Sequence, residues 1–304
     1  MRLKGLIAAP FTPMHQDGKL HLSVIRDYAL KLKQDGVRGV FVCGTTGEGY
    51  SLTPRERKAV LEEWLRFQDK DFAVMAHVGA TSVLQAAELA KHAAEAGAWA
   101  TAVMGPSFFQ PSRAEELVAY CADIAREAPH IPFYYYHIPS VSGVRVAMTD
   151  FLARASENIP NLRGIKFTHN NLMEMQQCMS FKGSKYEILH GYDEVLLGGL
   201  ALGIKAAVGS TYNYMAPLYS NLITHFEKGE LEEARALQRF SVQVVEILLK
   251  YRGGVAGGKA IQSLCGIPCG PCRLPLQTVS DKEFTSLRKE LESIRFFQTI
   301  TSSL

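Results

Sequence analysis

Short apolar runs recur along the chain, each followed by a polar loop and then by a stretch whose apolar positions repeat at helical spacing. The runs fall at residues 3–9, 39–43, 72–78, 98–104 and 133–137, then around Lys166, and at 186–190 and 204–208. Successive runs lie about 20 to 35 residues apart, the size of a βα unit. Residues 23–34 predict the first helix, ending at Asp35-Gly36. Thr53-Pro54-Arg55-Glu56 and Ser112-Arg113-Ala114-Glu115 each predict a helix start closed by a capping box. Runs that are apolar on both faces favour parallel strands covered by helices. Eight of them point to a closed barrel, with an open doubly wound sheet as the alternative that periodicity does not separate. Residues 1–216 are expected to form the barrel core. Residues 217–304 read as a helical region packed on it in the same structural unit, because no Pro/Gly/Ser-rich linker precedes them.

Composition narrows the class. In 304 residues, 47% of them hydrophobic, a large core can be buried, and 33 basic against 30 acidic side chains leave no excess for a nucleic-acid stripe. No apolar run has the roughly 18 residues of a membrane span, and the N-terminus turns polar at Met14-His15-Gln16, too early for a signal peptide. Six scattered cysteines and the lack of an Asn-x-Ser/Thr acceptor suit the cytoplasm. Cys265, Cys269 and Cys272 have zinc-like spacing but no fourth ligand nearby. The run from Gly253 to Lys259 imitates a phosphate loop, yet Ala260 stands where a hydroxyl is needed and the preceding segment is helical.

Chemistry concentrates where the runs end, which in a barrel is the C-terminal mouth. Lys166 lies inside an apolar run, where desolvation disfavours the charged amine and favours attack on a carbonyl. Thr45 and Thr46, Tyr136 and His137, Thr168, Gly191, Asp193 and Glu194, and Gly209 and Ser210 follow other runs and would converge on the same mouth. Tyr134 and Tyr135 read as core aromatics. The set suits a small electrophilic substrate bearing a carboxylate or several hydroxyls.

Five ordered blocks, Gly44-Thr45-Thr46-Gly47-Glu48, Tyr135-Tyr136-His137-Ile138-Pro139, Gly164-Ile165-Lys166, Gly191-Tyr192-Asp193-Glu194 and Gly209-Ser210-Thr211-Tyr212-Asn213, resemble the N-acetylneuraminate lyase and dihydrodipicolinate synthase family. That resemblance implies a (β/α)8 TIM barrel with additional C-terminal helices, a homotetramer, and class I aldolase chemistry without cofactor or metal. It assigns Lys166 to the Schiff base and Tyr136 to proton transfer. Thr45 and Thr46 would hold the pyruvyl carboxylate. Thr168, Gly191, Asp193, Glu194, Gly209 and Ser210 would bind the rest of the substrate. Dicarboxylate-using members carry an arginine two residues after the proline of the tyrosine block, where this chain has Val141. Two acids would instead suit the hydroxyls of a polyol, so cleavage of a sialic acid to N-acetylmannosamine and pyruvate is the expected reaction.

Two departures stand out. Phe108 occupies a loop in which some members place a tyrosine reaching a neighbouring subunit, and His137 stands where many bacterial relatives have asparagine. Two other function classes compete with the aldolase. A metal-dependent hydrolase could gather His77, His137, His190 and Asp193 around a carboxylated Lys166, but the first run, Ile7-Ala8-Ala9-Pro10, lacks the paired histidines. A silent sialic-acid sensor would need a disabled lysine or tyrosine, and both residues are present.

Overall fold

The computed structural model describes residues 2–301; Met1 and the last residues of the expected helical region, 302–304, lie outside it. Eight strands, β1 (Gly5–Ala8), β2 (Gly39–Val42), β3 (Ala73–His77), β4 (Ala100–Met104), β5 (Phe133–His137), β6 (Leu162–Phe167), β7 (Glu187–His190) and β8 (Ala206–Gly209), form a closed barrel in sequence order. Every neighbouring pair is parallel, and β8 closes on β1 with Gly5 opposite Ala206 and Ala8 opposite Gly209. The open sheet is thereby excluded. β5 coincides with its apolar run, 133–137, while the other strands are shorter than their runs or shifted against them by a residue or two.

Strand alternation divides the apolar side chains into two cores. One layer lies between strands and helices. The other fills the barrel, where the large Phe41, Met75, Tyr134 and Tyr136 face the small Ala100, Ala102 and Ala206. That pairing of large with small keeps the interior packed and leaves the upper end for chemistry.

The first capping box forms as expected at the helix Pro54–Leu65: Thr53 Oγ1 accepts from the Glu56 N–H, and the Glu56 carboxylate accepts from the Thr53 N–H at 2.9 Å. The second is shifted. The helix Ala114–Ala125 begins one turn position later than expected, so Glu116 rather than Glu115 reaches back to the Ser112 and Arg113 amides.

After β8 come the helices Tyr212–Glu227, Leu231–Lys250, Gly253–Leu264, Asp281–Ser293 and Phe296–Thr301. No helix among the described residues is long and apolar enough to cross a membrane. The phosphate-loop imitation resolves here: Lys259 lies in the helix Gly253–Leu264, 2% exposed, and its Nζ is 2.7 Å from Glu48 Oε1 and donates to the Pro271 carbonyl. Glu48 Oε2 accepts from the Arg273 N–H at 2.7 Å, so the loop after β2 is pinned to the C-terminal helices by a buried ion pair. Removing one member of such a pair strands the other charge. We predict that Glu48→Gln lowers stability by about 3–5 kcal/mol in urea unfolding, and that adding Lys259→Met recovers part of the loss. Unchanged stability in the single variant would show that the pair is solvated.

Candidate active site

The alternation of β6 turns Lys166 inward at the top of the barrel, where it is 4% exposed. On the adjacent strand Tyr136 is its register partner, and the Lys166 Nζ lies 3.8 Å from the Tyr136 ring centroid and 4.3 Å from that of Phe41. Two ring faces offset part of the cost of taking the amine out of water. The Tyr136 hydroxyl stands 3.4 Å from Thr45 Oγ1, which places the loop after β2 over the lysine and tyrosine.

That loop is held in an uncommon shape. Cys43 and Glu48 adopt positive φ of 58° and 54°, conformations that L-residues take only when their surroundings fix them. The fixing contacts are the Lys259 ion pair and the 2.7 Å bond from Thr12 Oγ1 to the Gly47 carbonyl. Thr45 is left exposed and Thr46 half-buried, both available to a ligand.

The opposite rim comes from the ends of β6, β7 and β8. Thr168 is half-buried, its N–H donating to the His137 carbonyl at 2.8 Å. A Cβ on Gly191 would lie 1.9 Å from Thr168 Oγ1, so glycine is required for that approach. Gly209 is similarly constrained, because a Cβ there would meet Asp193 Oδ1 at 1.9 Å. Ser210 is half-buried and its carbonyl accepts from Asn213. Glu194 is half-buried, whereas Asp193 is 4% exposed and its Oδ2 accepts from both the Thr211 N–H, at 2.8 Å, and the Thr211 hydroxyl, at 2.7 Å. Asp193 therefore braces the turn after β8 with one oxygen, leaving the other toward Gly209.

A family model for the dihydrodipicolinate synthetase family matches residues 2–294. The chain belongs to that family. It is 43% identical to the N-acetylneuraminate lyase of Gallus gallus over 297 residues, 96% of each chain. It is 41% identical to that of Homo sapiens over 300 residues, 97% of this chain and 93% of the human one. Among solved structures, Proteus mirabilis N-acetylneuraminate lyase superposes with a TM-score of 0.94 at 41% identity, covering 97% of this chain and 100% of that one. A dihydrodipicolinate synthase of Bacillus anthracis gives 0.89 at 26% identity, covering 96% of this chain and 99% of that one.

Within this family member the remaining candidates separate by face. Tyr134 points inward at the opposite end of the barrel and donates to Glu187 Oε2 at 3.1 Å, while Tyr135 packs outward on Phe151. His137 and His190 lie outside the barrel, against Phe167 and Gly199 respectively, and His77 lies inside, so the hydrolase ligand set does not assemble. Burial pushes His137 down to about 3, with His169 adding to it, and His190 down to about 4. Phe108 and Phe109 are 83% and 84% exposed, and Val141 is half exposed on the short helix Pro139–Ser142. A concavity of about 670 Å³ lies among Arg113, Arg145, Asp150 and Arg154, and its lining contains none of Lys166, Tyr136 or Thr45.

His77 was named from the sequence only as a metal ligand, and the structure gives it a different place. Its ring is edge-on to Tyr136 at 5.9 Å, its Nδ1 is 3.1 Å from the Cys43 carbonyl, and its Nε2 has no partner among the described residues. Burial, with Arg57 and Lys166 nearby, holds it well below the usual histidine range, so it borders the lysine as a neutral ring. The signal was period-two alternation, which puts His77 on the same face as Met75.

Burial and Glu194 push the Asp193 carboxyl up to about 6, against the lowering effect of its Thr211 bonds. The folded protein thus keeps that proton at a pH where the unfolded chain has released it, and the group subtracts stability as pH rises from about 4 to about 6. Relative to Asp193→Asn, the wild type is expected to lose on the order of 2 kcal/mol across that window in urea unfolding. Parallel pH curves would mean that Asp193 is solvated.

Proposed function

We propose that this protein cleaves N-acetylneuraminic acid to N-acetylmannosamine and pyruvate by class I aldol chemistry, with Lys166 as nucleophile and Tyr136 as proton carrier. The observation that carries the assignment is the enclosed Lys166 amine, 3.8 Å from the Tyr136 ring at the mouth of the barrel. Relatives named N-acetylneuraminate lyase, 39–44% identical over most of the chain, support the substrate.

In this reading the open-chain sugar acid enters with its carboxylate toward Thr45, Thr46 and the amides of their loop. The Lys166 amine adds to the C2 ketone, Tyr136 gives its hydroxyl proton to the departing oxygen, and water leaves, giving an iminium. Tyr136, having given up that proton, takes the proton of the C4 hydroxyl; the C3–C4 bond breaks, its electrons pass to the iminium nitrogen, and the aldehyde N-acetylmannosamine departs. The enamine left on Lys166 takes a proton at C3 from Tyr136, and hydrolysis, which returns a proton to Tyr136, releases pyruvate and the free amine. Thr45 Oγ1, 3.4 Å from the Tyr136 hydroxyl, is placed to orient that hydroxyl.

The polyol tail would extend toward Thr168, Gly191, Glu194 and Ser210, with Asp193 and Gly209 fixing the wall behind them. Val141 in place of arginine removes the cation that a second carboxylate would need, which argues against the dicarboxylate reaction of other family members. The proposal extends to a cytoplasmic homotetramer: six free thiols suit a reducing compartment, and exposed Phe108 and Phe109 offer an apolar contact without the hydroxyl of a tyrosine.

The purified protein is expected to release pyruvate from N-acetylneuraminate and not to condense pyruvate with aspartate semialdehyde; the opposite pattern would overturn the substrate. Lys166→Ala should abolish pyruvate release, and turnover retained in that variant would exclude the lysine as nucleophile. Tyr136→Phe is expected to lower kcat by roughly 10²-fold or more while KM changes less. A rise in KM at constant kcat would instead make the hydroxyl a binding group.

A further inference from the structure

Three side chains on the outer wall of the barrel come together without a part in the aldol chemistry. His137 is one residue beyond Tyr136 and faces away from the barrel interior; it is 3% exposed, and neither ring nitrogen has a hydrogen-bond partner among the described residues. His169, in the loop after β6, stands edge-on to it with ring centroids 5.4 Å apart. Its buried Nδ1 also lacks a hydrogen bond and lies 3.9 Å from Oε2 of Glu174, in the first turn of the helix Leu172–Ser180. One ligand atom from each of the three lies within 4.8 Å of the other two. Buried imidazole nitrogens left unpaired are costly, and one from each ring gathered beside a carboxylate calls for an occupant.

We propose that His137, His169 and Glu174 form a binding site for a divalent cation of the zinc class, separate from the aldolase pocket. Two imidazoles and one carboxylate are a borderline-soft donor set that suits zinc, cobalt or nickel and not the all-oxygen preference of calcium or magnesium. Bonds of about 2.0–2.2 Å in a tetrahedron put ligand atoms about 3.4 Å apart, so the present separations close with side-chain shifts of about 1 Å. The side chains able to move are the right ones: His169 is 33% exposed, while His137 is fixed in the wall. That exposure also gives the ion an entry path and leaves room for a water as fourth ligand. Glu174 is already oriented, because its Oε1 accepts from the Met148 N–H at 2.7 Å and its own N–H is capped by Asn171, which leaves Oε2 toward His169. A bound ion would tie the end of β5 to the loop after β6. Those strands carry Tyr136 and Lys166 and are already joined by the bond from Thr168 N–H to the His137 carbonyl.

The test uses the full-length, chelator-treated protein titrated with Co²⁺ alone. One equivalent per chain should bind with the strong visible absorption of four-coordinate cobalt and no thiolate-to-metal band, and Zn²⁺ should raise Tm and displace it. His169→Asn and Glu174→Gln, both at partly exposed positions outside the pocket, should each weaken binding by about 10–100-fold or more and remove the Zn²⁺-dependent rise in Tm while leaving the metal-free circular dichroism unchanged. Any of three results would overturn the site: no cobalt spectrum, binding unchanged in both variants, or a thiolate band placing the ion at Cys265, Cys269 and Cys272.

Discussion

An amine held among aromatic rings, out of contact with bulk water, sets the terms for the upper half of this barrel. Lys166 can be enclosed there only because β5 and β2 bring the Tyr136 and Phe41 ring faces to it. The parallel register that opposes Tyr136 to Lys166 is as much a part of the chemistry as the side chains themselves. Barrel closure supplies what a single βα unit lacks: a dry interior below the lysine and loops from distant strands above it.

A second buried charge governs the rim. Glu48 belongs to the loop that presents Thr45 and Thr46, yet its partner Lys259 comes from the helices that follow the barrel. The C-terminal helices are therefore coupled to the shape of the substrate loop as well as covering the barrel. Positive φ at Cys43 and Glu48 marks where that coupling is stored, since those conformations persist only under tertiary constraint.

Much of the fold was legible in the chain because its signals are local. Apolar runs marked all eight strands, and the Thr53–Glu56 box marked a helix start. The chain read Tyr134 and Tyr135 alike as core aromatics, and both are buried, Tyr134 inside the barrel with Tyr136 and Tyr135 in the outer layer. Within the site, the sequence named Lys166, Tyr136 and Thr45, and these three lie together in the structure. Less legible was everything decided by a distant partner. Nothing around Lys259 announces Glu48, and a phosphate-loop pattern there suggested other chemistry. Asp193 looked like a free acceptor, but Thr211 takes one of its oxygens and burial keeps its proton to higher pH. His137, His169 and Glu174 sit on three different elements, so no spacing rule links them.

Covalent capture at Lys166 tests the central claim most directly. The full-length protein is mixed with pyruvate, reduced with borohydride, digested, and its peptides weighed and sequenced by mass spectrometry. The predicted result is a single stable adduct, the mass of a reduced pyruvyl imine, on the peptide that contains Lys166. An unmodified Lys166 in folded protein, or an adduct placed on another lysine, would contradict the Schiff-base mechanism.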